Sequence, residues 1–317
     1  MGNQTLVTEF ILLGLSQDQS TRAILFFVFL LLYTVSLLGN MAIIIVTMVS
    51  AQLHNPMYFF LRNLSFLDLC YSSVTVPKML VALLGENSIS YTGCITQLYF
   101  YVSCCSTECL LLSSMGYDRF VAICKPLHYA TIMSNKACHQ MAISLWATGF
   151  LTSVIHTVFT ARLPFCGSCV INHFFCDIPP MLKLACTDTF LNEILVLTVG
   201  GVLGLSSFIL TLVSYAHIIS TIFKIRSTDG RNKAFSTCAS HLTVVTLFFG
   251  SISFMYMRPT SSYSMEQDRV VSVFYAVVTP ALNPIIYTLR NKEVKRALRT
   301  MVKKLYSKQE HTPVYFH

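Results

Sequence analysis

Charge is what this sequence is short of. Only 11% of its 317 residues are charged and 54% are hydrophobic, where a soluble domain carries about 25% charged residues, so an ordinary soluble globule is excluded. Catalytic signatures are missing too. The apolar stretches hold no clustered histidines, and the chain has neither a His-Glu-x-x-His nor a Gly-x-Ser-x-Gly arrangement, which leaves an intramembrane enzyme without a metal triad or an activated nucleophile. Acidic residues are outnumbered, 14 to 22, for a net charge of +8. Such an excess can signal nucleic acid, but the placement of the basic residues makes it a topology signal, and no nucleic-acid partner is expected. The amino terminus lacks a basic region followed by a short apolar stretch and a cleavage site, so no removable signal peptide is expected and the first span serves as anchor. Leu6 stands where myristoylation wants Ser or Thr.

What is present is a series of long charge-free runs. None of Asp, Glu, Lys or Arg occurs over residues 23–61, 87–107, 137–161, 194–223, 234–257 or 270–289. A charge at the bilayer centre is costly, so these runs map membrane spans. The first is too long for one helix and holds one span, a His54-Asn55-Pro56 turn and the start of a second, which is completed around Asp68 with Lys78 snorkelling at its end. At roughly 40 residues per span and loop, the chain is one all-α bundle of seven transmembrane helices. The spans fall at 23–49, 57–84, 95–121, 140–161, 193–224, 235–258 and 269–289. Segment 1–22 is then an outer amino-terminal segment, 23–289 the bundle, and 290–317 an amphipathic helix and tail.

Assigning alternate connections to opposite sides puts 16 of the 22 basic residues on one side, from Arg62 and Lys125 to Lys308, and 6 on the other: Arg22, Lys78, Arg162, Lys183, Arg258 and Arg269. Basic residues mark the cytoplasmic side, so the carboxyl terminus is expected inside and the amino terminus outside, with the chain multi-pass in the plasma membrane. Asn3-Gln4-Thr5 is a glycosylation sequon, usable only on the outer side. After Leu289, residues Val294, Leu298, Met301, Val302 and Leu305 recur at helical spacing among Lys and Arg. That pattern suits a helix lying on an anionic inner leaflet, with a solvated basic tail as the alternative.

Of twelve cysteines, Cys94, Cys166, Cys169, Cys176 and Cys186 fall on the outer, oxidising side, where disulfides persist; an odd number leaves one thiol over. Cys166-x-x-Cys169 with Cys176, Cys186 and His173 also has the composition of a zinc site. Cys70, Cys104, Cys105 and Cys109 lie within spans and read as small packing residues. Cys124, Cys138 and Cys238 face the reducing side. Asp68 and Glu108 are mid-span carboxylates, which are usually functional. They either hold a monovalent cation such as sodium or share a proton, or they are protonated and hydrogen-bonded to Asn40 or Asn283. Pro280 and Pro284 break the seventh span, and Gly200, Gly201 and Gly204 loosen the fifth. No paired broken segments recur in corresponding halves, and seven spans do not divide evenly, which argues against a transporter.

Several segments carry a more specific likeness: Gly39-Asn40, PMYFFLRNLSFLDLC at 56–70, SSMGYDRFVAICKPLHY at 113–129, Ser214-Tyr215, KAFSTCASHL at 233–242, PALNPIIYTLRN at 280–291, and the loop LPFCGSCVINHFFCDIPPMLKLAC. In this order the sequence resembles the olfactory (odorant) receptors among rhodopsin-like G-protein-coupled receptors, over nearly the whole chain. The resemblance implies disulfides Cys94–Cys176 and Cys166–Cys186, leaving Cys169 odd. It implies a polar core of Asn40, Asp68, Glu108, Asn283 and Tyr287, with sodium as a family-level implication and no other cofactor. It also implies an activation set of Asp118, Arg119, Tyr215, Lys233, His241, Asn283, Pro284 and Tyr287, which would couple to the stimulatory olfactory heterotrimeric G protein and raise cyclic AMP.

The ligand, in this likeness, is a small uncharged volatile. Its lining would come from Tyr101, Val102, Cys105 and Ser106 in the third span and Val199 and Leu203 in the fifth. Ile252, Ser253 and Tyr256 in the sixth and Val273 and Ala276 in the seventh would complete it, with Tyr256 and Ser106 as hydrogen-bonding groups. A metal near Cys105 and Cys109 that recruits a thiol odorant is a lesser alternative. Three positions depart from the common pattern: Gly116 where the family usually has alanine, Phe120 where many receptors have tyrosine, and Phe249 where the family often has tyrosine.

Overall fold

The protein is described by a computed structural model covering residues 7–166, 169–224, 227–256 and 265–310. Asn3 lies outside those residues, and the side chains of Lys233, Val302 and Leu305 lie outside what is described. Seven helices are long and apolar enough to cross a membrane: α1 (Gln19–Val49), α2 (Pro56–Leu83), α3 (Tyr91–Cys124), α4 (Asn135–Ala161), α5 (Phe190–Phe223), α6 (Thr228–Tyr256) and α7, which runs through Met265–Val273, Phe274–Val278 and Thr279–Arg290. An eighth, α8 (Lys292–Glu310), follows at once.

The first four spanning helices begin where a side chain can satisfy their first amides. Asp18 accepts from the Thr21 amide, Asn55 from Tyr58, Ser90 from Gly93 and Ser134 from Ala137, and Pro56 occupies the first turn, where its missing N–H costs nothing. Such caps are worth about 1 kcal/mol each. They explain why several helices outrun the apolar stretches. α3 starts at Tyr91 rather than 95 and α4 at Asn135 rather than 140, because capped polar turns project beyond the hydrocarbon.

The outer segment expected at 1–22 is more structured than a free tail. Its last residues belong to α1, and the Arg22 guanidinium donates to the Leu83 and Ala82 carbonyls at the end of α2, at 2.8 and 3.2 Å. Before it, β1 (Glu9–Leu12) lies between β2 (Ser88–Ser90), to which it is antiparallel, and β3 (Val170–Ile171), to which it is parallel. Phe10 and Leu12 of β1 are fully buried. The seven-helix bundle thus carries a small three-stranded sheet at one end, here called the sheet end.

α3 is the central helix, packing against α2, α4, α5 and α6. Around it the bundle turns apolar side chains outward, among them Phe27, Leu31 and Leu38 of α1 and Val202, Leu210 and Val213 of α5, as a bilayer requires. At the end opposite the sheet, α8 is anchored by its fully buried Val294 and by the Tyr58 hydroxyl, 2.7 Å from Glu293 Oε2 and 3.1 Å from Asn291 Oδ1.

Two glycines mark the closest helix crossings. A Cβ on Gly39 would sit 2.8 Å from Cβ and Cγ of the rigid Pro284 ring, and one on Gly149 would meet the Thr107 hydroxyl and lie 3.0 Å from the Ser103 carbonyl. Gly116 is different, since its Cβ would be 3.6 Å from both His241 Cε1 and Thr211 Cγ2, ordinary contact. Gly39→Ala is therefore expected to destabilise the bundle by about 1–3 kcal/mol, and Gly116→Ala to stabilise it by roughly 0.5–1 kcal/mol through helix propensity. Thermal unfolding of the two purified variants checks the opposite signs; equal signs would refute the packing argument.

Candidate functional site

Helical spacing gathers one cavity from three spans. Tyr101, Cys105 and Cys109 with Val102 and Ser106 form one face of α3; Phe249, Ile252, Ser253 and Tyr256 form one face of α6; Val196, Gly200, Leu203 and Phe208 are among those from α5. His156 of α4 and Ile178 of the long loop complete the walls of a space of about 450 Å³. At about 30 Å³ per water that is some fifteen waters' worth, within the size range of small-molecule sites.

Eight of the eleven residues expected to line a pocket do line this one; Val199, Val273 and Ala276 do not. Val199 and Ala276 fall in π-helical turns, at Val196–Gly200 in α5 and Phe274–Val278 in α7, and Val273 immediately precedes the second. A wider turn shifts the helical register, which presents Val196 and Gly200 to the cavity in place of Val199. In α7, Ala276 is fully buried, and the fully buried Tyr275 fills the space toward Tyr101, with ring centroids 6.4 Å apart.

Sequence reasoning missed Asp177 and His156. Asp177 carries the roof of the site: the Tyr256 hydroxyl donates to it, 2.9 Å from both carboxylate oxygens, and the Ile178 amide donates to Oδ1 at 2.7 Å. Tyr101 and Tyr256 hydroxyls are 3.1 Å apart. The only sequence signal was a lone carboxylate beside a loop cysteine. His156 is one of two histidines in the charge-free run 137–161, and nothing in the run says which way it faces.

The loop is held over the bundle by disulfides Cys94–Cys176 and Cys166–Cys186, with Cα atoms 5.5 and 5.9 Å apart; Cys169 is free. The zinc alternative is thereby corrected, because three of its four thiols are consumed. Its histidine is engaged elsewhere: His173 accepts from the Phe175 amide through Nδ1, at 3.4 Å, so Nε2–H donates to Ser272 Oγ at 3.0 Å. Burial holds His173 down to about 3. Burial likewise pushes the Asp177 carboxyl up to about 7, against the pull of the Tyr256 and Ile178 hydrogen bonds and with help from the Asp268 charge.

Deeper in the bundle, the Asn283 amide donates to both Asp68 oxygens at 3.1 and 3.0 Å. Asn40 reaches instead to the Pro280 carbonyl at 3.0 Å. Both Glu108 oxygens, Asn40 Oδ1, Asn283 Oδ1 and the Tyr287 hydroxyl find no hydrogen-bond partner among the described residues. Among the described residues no group of three or more His, Cys, Asp or Glu could hold a metal ion, which includes the surroundings of Cys105 and Cys109.

At the far end from the sheet, Asp118 accepts from the Tyr129 hydroxyl at 2.9 Å, and Arg119 is buried beside it. His241 Nε2–H donates to the Leu112 carbonyl at 3.0 Å, which leaves Nδ1 to accept from the Tyr215 hydroxyl at 2.8 Å. This ties α3, α5 and α6 through one imidazole. The Arg119 charge is felt at Asp118, Tyr215, His241 and Tyr287, so these four of the expected activation residues gather around it, whereas Asn283 and Pro284 lie deeper, against Asp68 and Gly39.

A seven-span bundle with an apolar cavity near one end and a buried arginine knot at the other has the build of a seven-helix membrane receptor. Sequence comparison makes the class specific: the family described as "Olfactory receptor" matches residues 29–305. Olfactory receptor 5AR1 of Mus musculus is 50% identical over 303 residues, 95% of this chain and 98% of its own length. Olfactory receptor 5AP2 of Homo sapiens is 51% identical over 301 residues, 95% of each chain, and olfactory receptor 5AU1 of Homo sapiens is 53% identical over 291, covering 92% of this chain and 80% of its own. The chain belongs to the olfactory receptor family; it is a multi-pass membrane receptor and not an enzyme.

Because the Asp177 carboxyl rises from 3.8 to about 7 on folding, its contribution to stability is full below about pH 3.8 and is lost as pH rises through about 7. Raising pH from 5 to 8 should lower wild-type stability relative to Asp177→Asn by on the order of 2–3 kcal/mol. His173 titrates alike in both proteins and cancels from the difference. Parallel melting curves across that range would contradict the burial argument.

Proposed function

We propose that the cavity between α3, α5 and α6 binds a small, uncharged, largely apolar odorant, and that binding drives coupling to the stimulatory olfactory heterotrimeric G protein and raises cyclic AMP. The observation that carries this reading is the continuity of α3 and α6 from cavity to knot. Cys109 lines the cavity and lies three residues, about 4.5 Å of helix rise, from Leu112, whose carbonyl holds His241. A ligand shifts the equilibrium only by binding the active bundle better than the resting one. Outward movement of α6 would break the His241 contacts, free Arg119 and open a cleft bordered by the segment from Lys233.

The amino terminus is outside and the carboxyl terminus cytoplasmic in this reading, in the plasma membrane, with Asn3 as glycosylation site. The 16-to-6 division of basic residues supports it, as do two disulfides at the sheet end, which need an oxidising compartment. α8 then rests on anionic inner-leaflet lipid.

The polar core fits a monovalent cation such as sodium. Two buried carboxylates and two unpartnered amide oxygens form an all-oxygen donor set, and buried polar atoms left without partners are costly. Asp68 and Glu108 would hold the ion, with Asn40 and Asn283 beside them, and it would supply compensating positive charge. Asn283 meanwhile keeps α7 tied to α2 through Asp68.

The test is a cyclic AMP reporter assay in cells supplying the olfactory G protein, with volatiles screened against wild type and Arg119→Ala. An amino-terminal tag is stained on unpermeabilised cells. The expected outcome is a response of at least tenfold over basal in wild type that disappears in Arg119→Ala at equal surface staining, the order of loss for a group acting directly in a coupling interface. An undiminished response in the variant would remove Arg119 from coupling, and a tag visible only after permeabilisation would reverse the topology.

A further inference from the structure

The protons in the roof of the cavity can be followed one by one. Asp177 is fully buried next to the disulfide at Cys176, and an ionised carboxylate only accepts. The Tyr256 hydroxyl, 2.9 Å from both its oxygens, has its single proton committed there. In the 3.1 Å contact between Tyr101 and Tyr256, Tyr101 must then be the donor, so its proton is committed as well. Tyr275 cannot reverse this order, since its hydroxyl is 2.9 Å from Ser272 Oγ, whose own proton goes to the Asp268 carbonyl at 2.7 Å. What the tyrosine pair has left for the cavity is lone pairs. The remaining polar walls do not discriminate: Ser106 and Ser253 can rotate to donate or accept, and His156 can do either according to tautomer.

We infer that the Tyr101–Tyr256 pair, oriented by Asp177, selects small apolar ligands that carry a hydrogen-bond donor, alcohols and phenols above all, over ethers and ketones of the same skeleton. This rests on the cavity being the odorant site and narrows its ligand class. A donor gains a bond to a phenol oxygen already polarised by giving its own proton to a carboxylate, and chains of hydrogen bonds strengthen one another. An acceptor placed there sets lone pair against lone pair and is buried unsatisfied. Asp177 is a positioning residue: it fixes the direction of the relay from behind Tyr256 and is not itself among the residues lining the cavity.

The experiment is ligand-induced thermal stabilisation of the purified full-length receptor at pH 8, where the Asp177 carboxyl is ionised. The probes are a secondary alcohol of about ten heavy atoms, a size matched to the cavity, its methyl ether and the corresponding ketone. The alcohol should bind wild type roughly tenfold more tightly than either partner, the discrimination a buried polar pair typically provides. Tyr256→Phe should bring the ratio to within about twofold, since the relay is cut. Asp177→Asn, whose amide can donate as well as accept, lets the Tyr256 proton turn toward the cavity and should reduce the ratio while preserving affinity for the ketone, a redistribution that a merely structural role would not produce.

An ether or ketone binding wild type as tightly as the alcohol overturns the inference, and the wild-type ratio decides the matter alone if a variant fails to fold. Failure of all three probes to bind overturns both the inference and the cavity reading. Alcohol-selective binding without any cyclic AMP response leaves the inference standing and removes the signalling reading.

Discussion

A single carbonyl freed inside the bundle shapes much of what surrounds it. Pro284 has no N–H to give to the carbonyl four residues back, that of Pro280, and an unsatisfied carbonyl in an apolar interior costs several kcal/mol. Asn40 Nδ2 and Ser36 Oγ of α1 meet it at 3.0 and 3.3 Å. That bond requires α1 and α7 to come close, and they do so where Gly39 has no side chain to hold off the Pro284 ring. With Asn40 turned to α7, Asp68 takes its hydrogen bonds from Asn283 instead, and Glu108 is left with unanswered oxygens. The polar core is thus a consequence of one missing amide hydrogen.

α3 carries both the cavity and the arginine knot, and this follows from its central position. Tyr101, Val102, Cys105, Ser106 and Cys109 face the cavity, Leu112 accepts from His241, and Asp118 and Arg119 lie near the end of the same helix. On α6, Phe249 and His241 are eight residues apart, about 12 Å along the axis. Phe249 also packs at a tilt against Phe208 of α5, ring centroids 5.3 Å apart, so in the proposed function a ligand that displaces the ring would press on both partners of the Tyr215–His241 bond.

The spans were legible in the sequence because desolvation acts residue by residue: a charge is costly at mid-bilayer whatever its neighbours are, and its absence over 20 residues is readable without a structure. Periodicity carried the cavity nearly as far, since 101/105 and 252/256 share helical faces by spacing alone. It failed at Val199 and Ala276, within π-helical turns that break the period, and at Val273 just before the second. Asp177 was hidden for a different reason. Its contact with Tyr256 spans 79 positions and exists because a disulfide brings the loop over α3. The small sheet was missed because Glu9–Leu12 pairs only with segments remote in the chain, and a four-residue strand has almost no pattern of its own.

The two ends of the molecule are held by bonds of very different strength, and this sets which end can move. At the sheet end, two disulfides, three paired strands and the Arg22 contacts to α2 fasten the loop, the amino-terminal segment and the tops of α1 to α3 together. At the other end, among the described contacts, α3, α5 and α6 are joined by single hydrogen bonds: Tyr215 to His241 and His241 to the Leu112 carbonyl, with Tyr129 to Asp118 beside them. Each is worth about 1 kcal/mol net, somewhat more where a charge takes part. A ligand whose affinity differs by a few kcal/mol between the two arrangements can therefore outweigh the second set, but not the first. In the proposed function, strain introduced in the cavity would be relieved where resistance is least, so α6 would yield near His241 while its Tyr256 end stays under the loop.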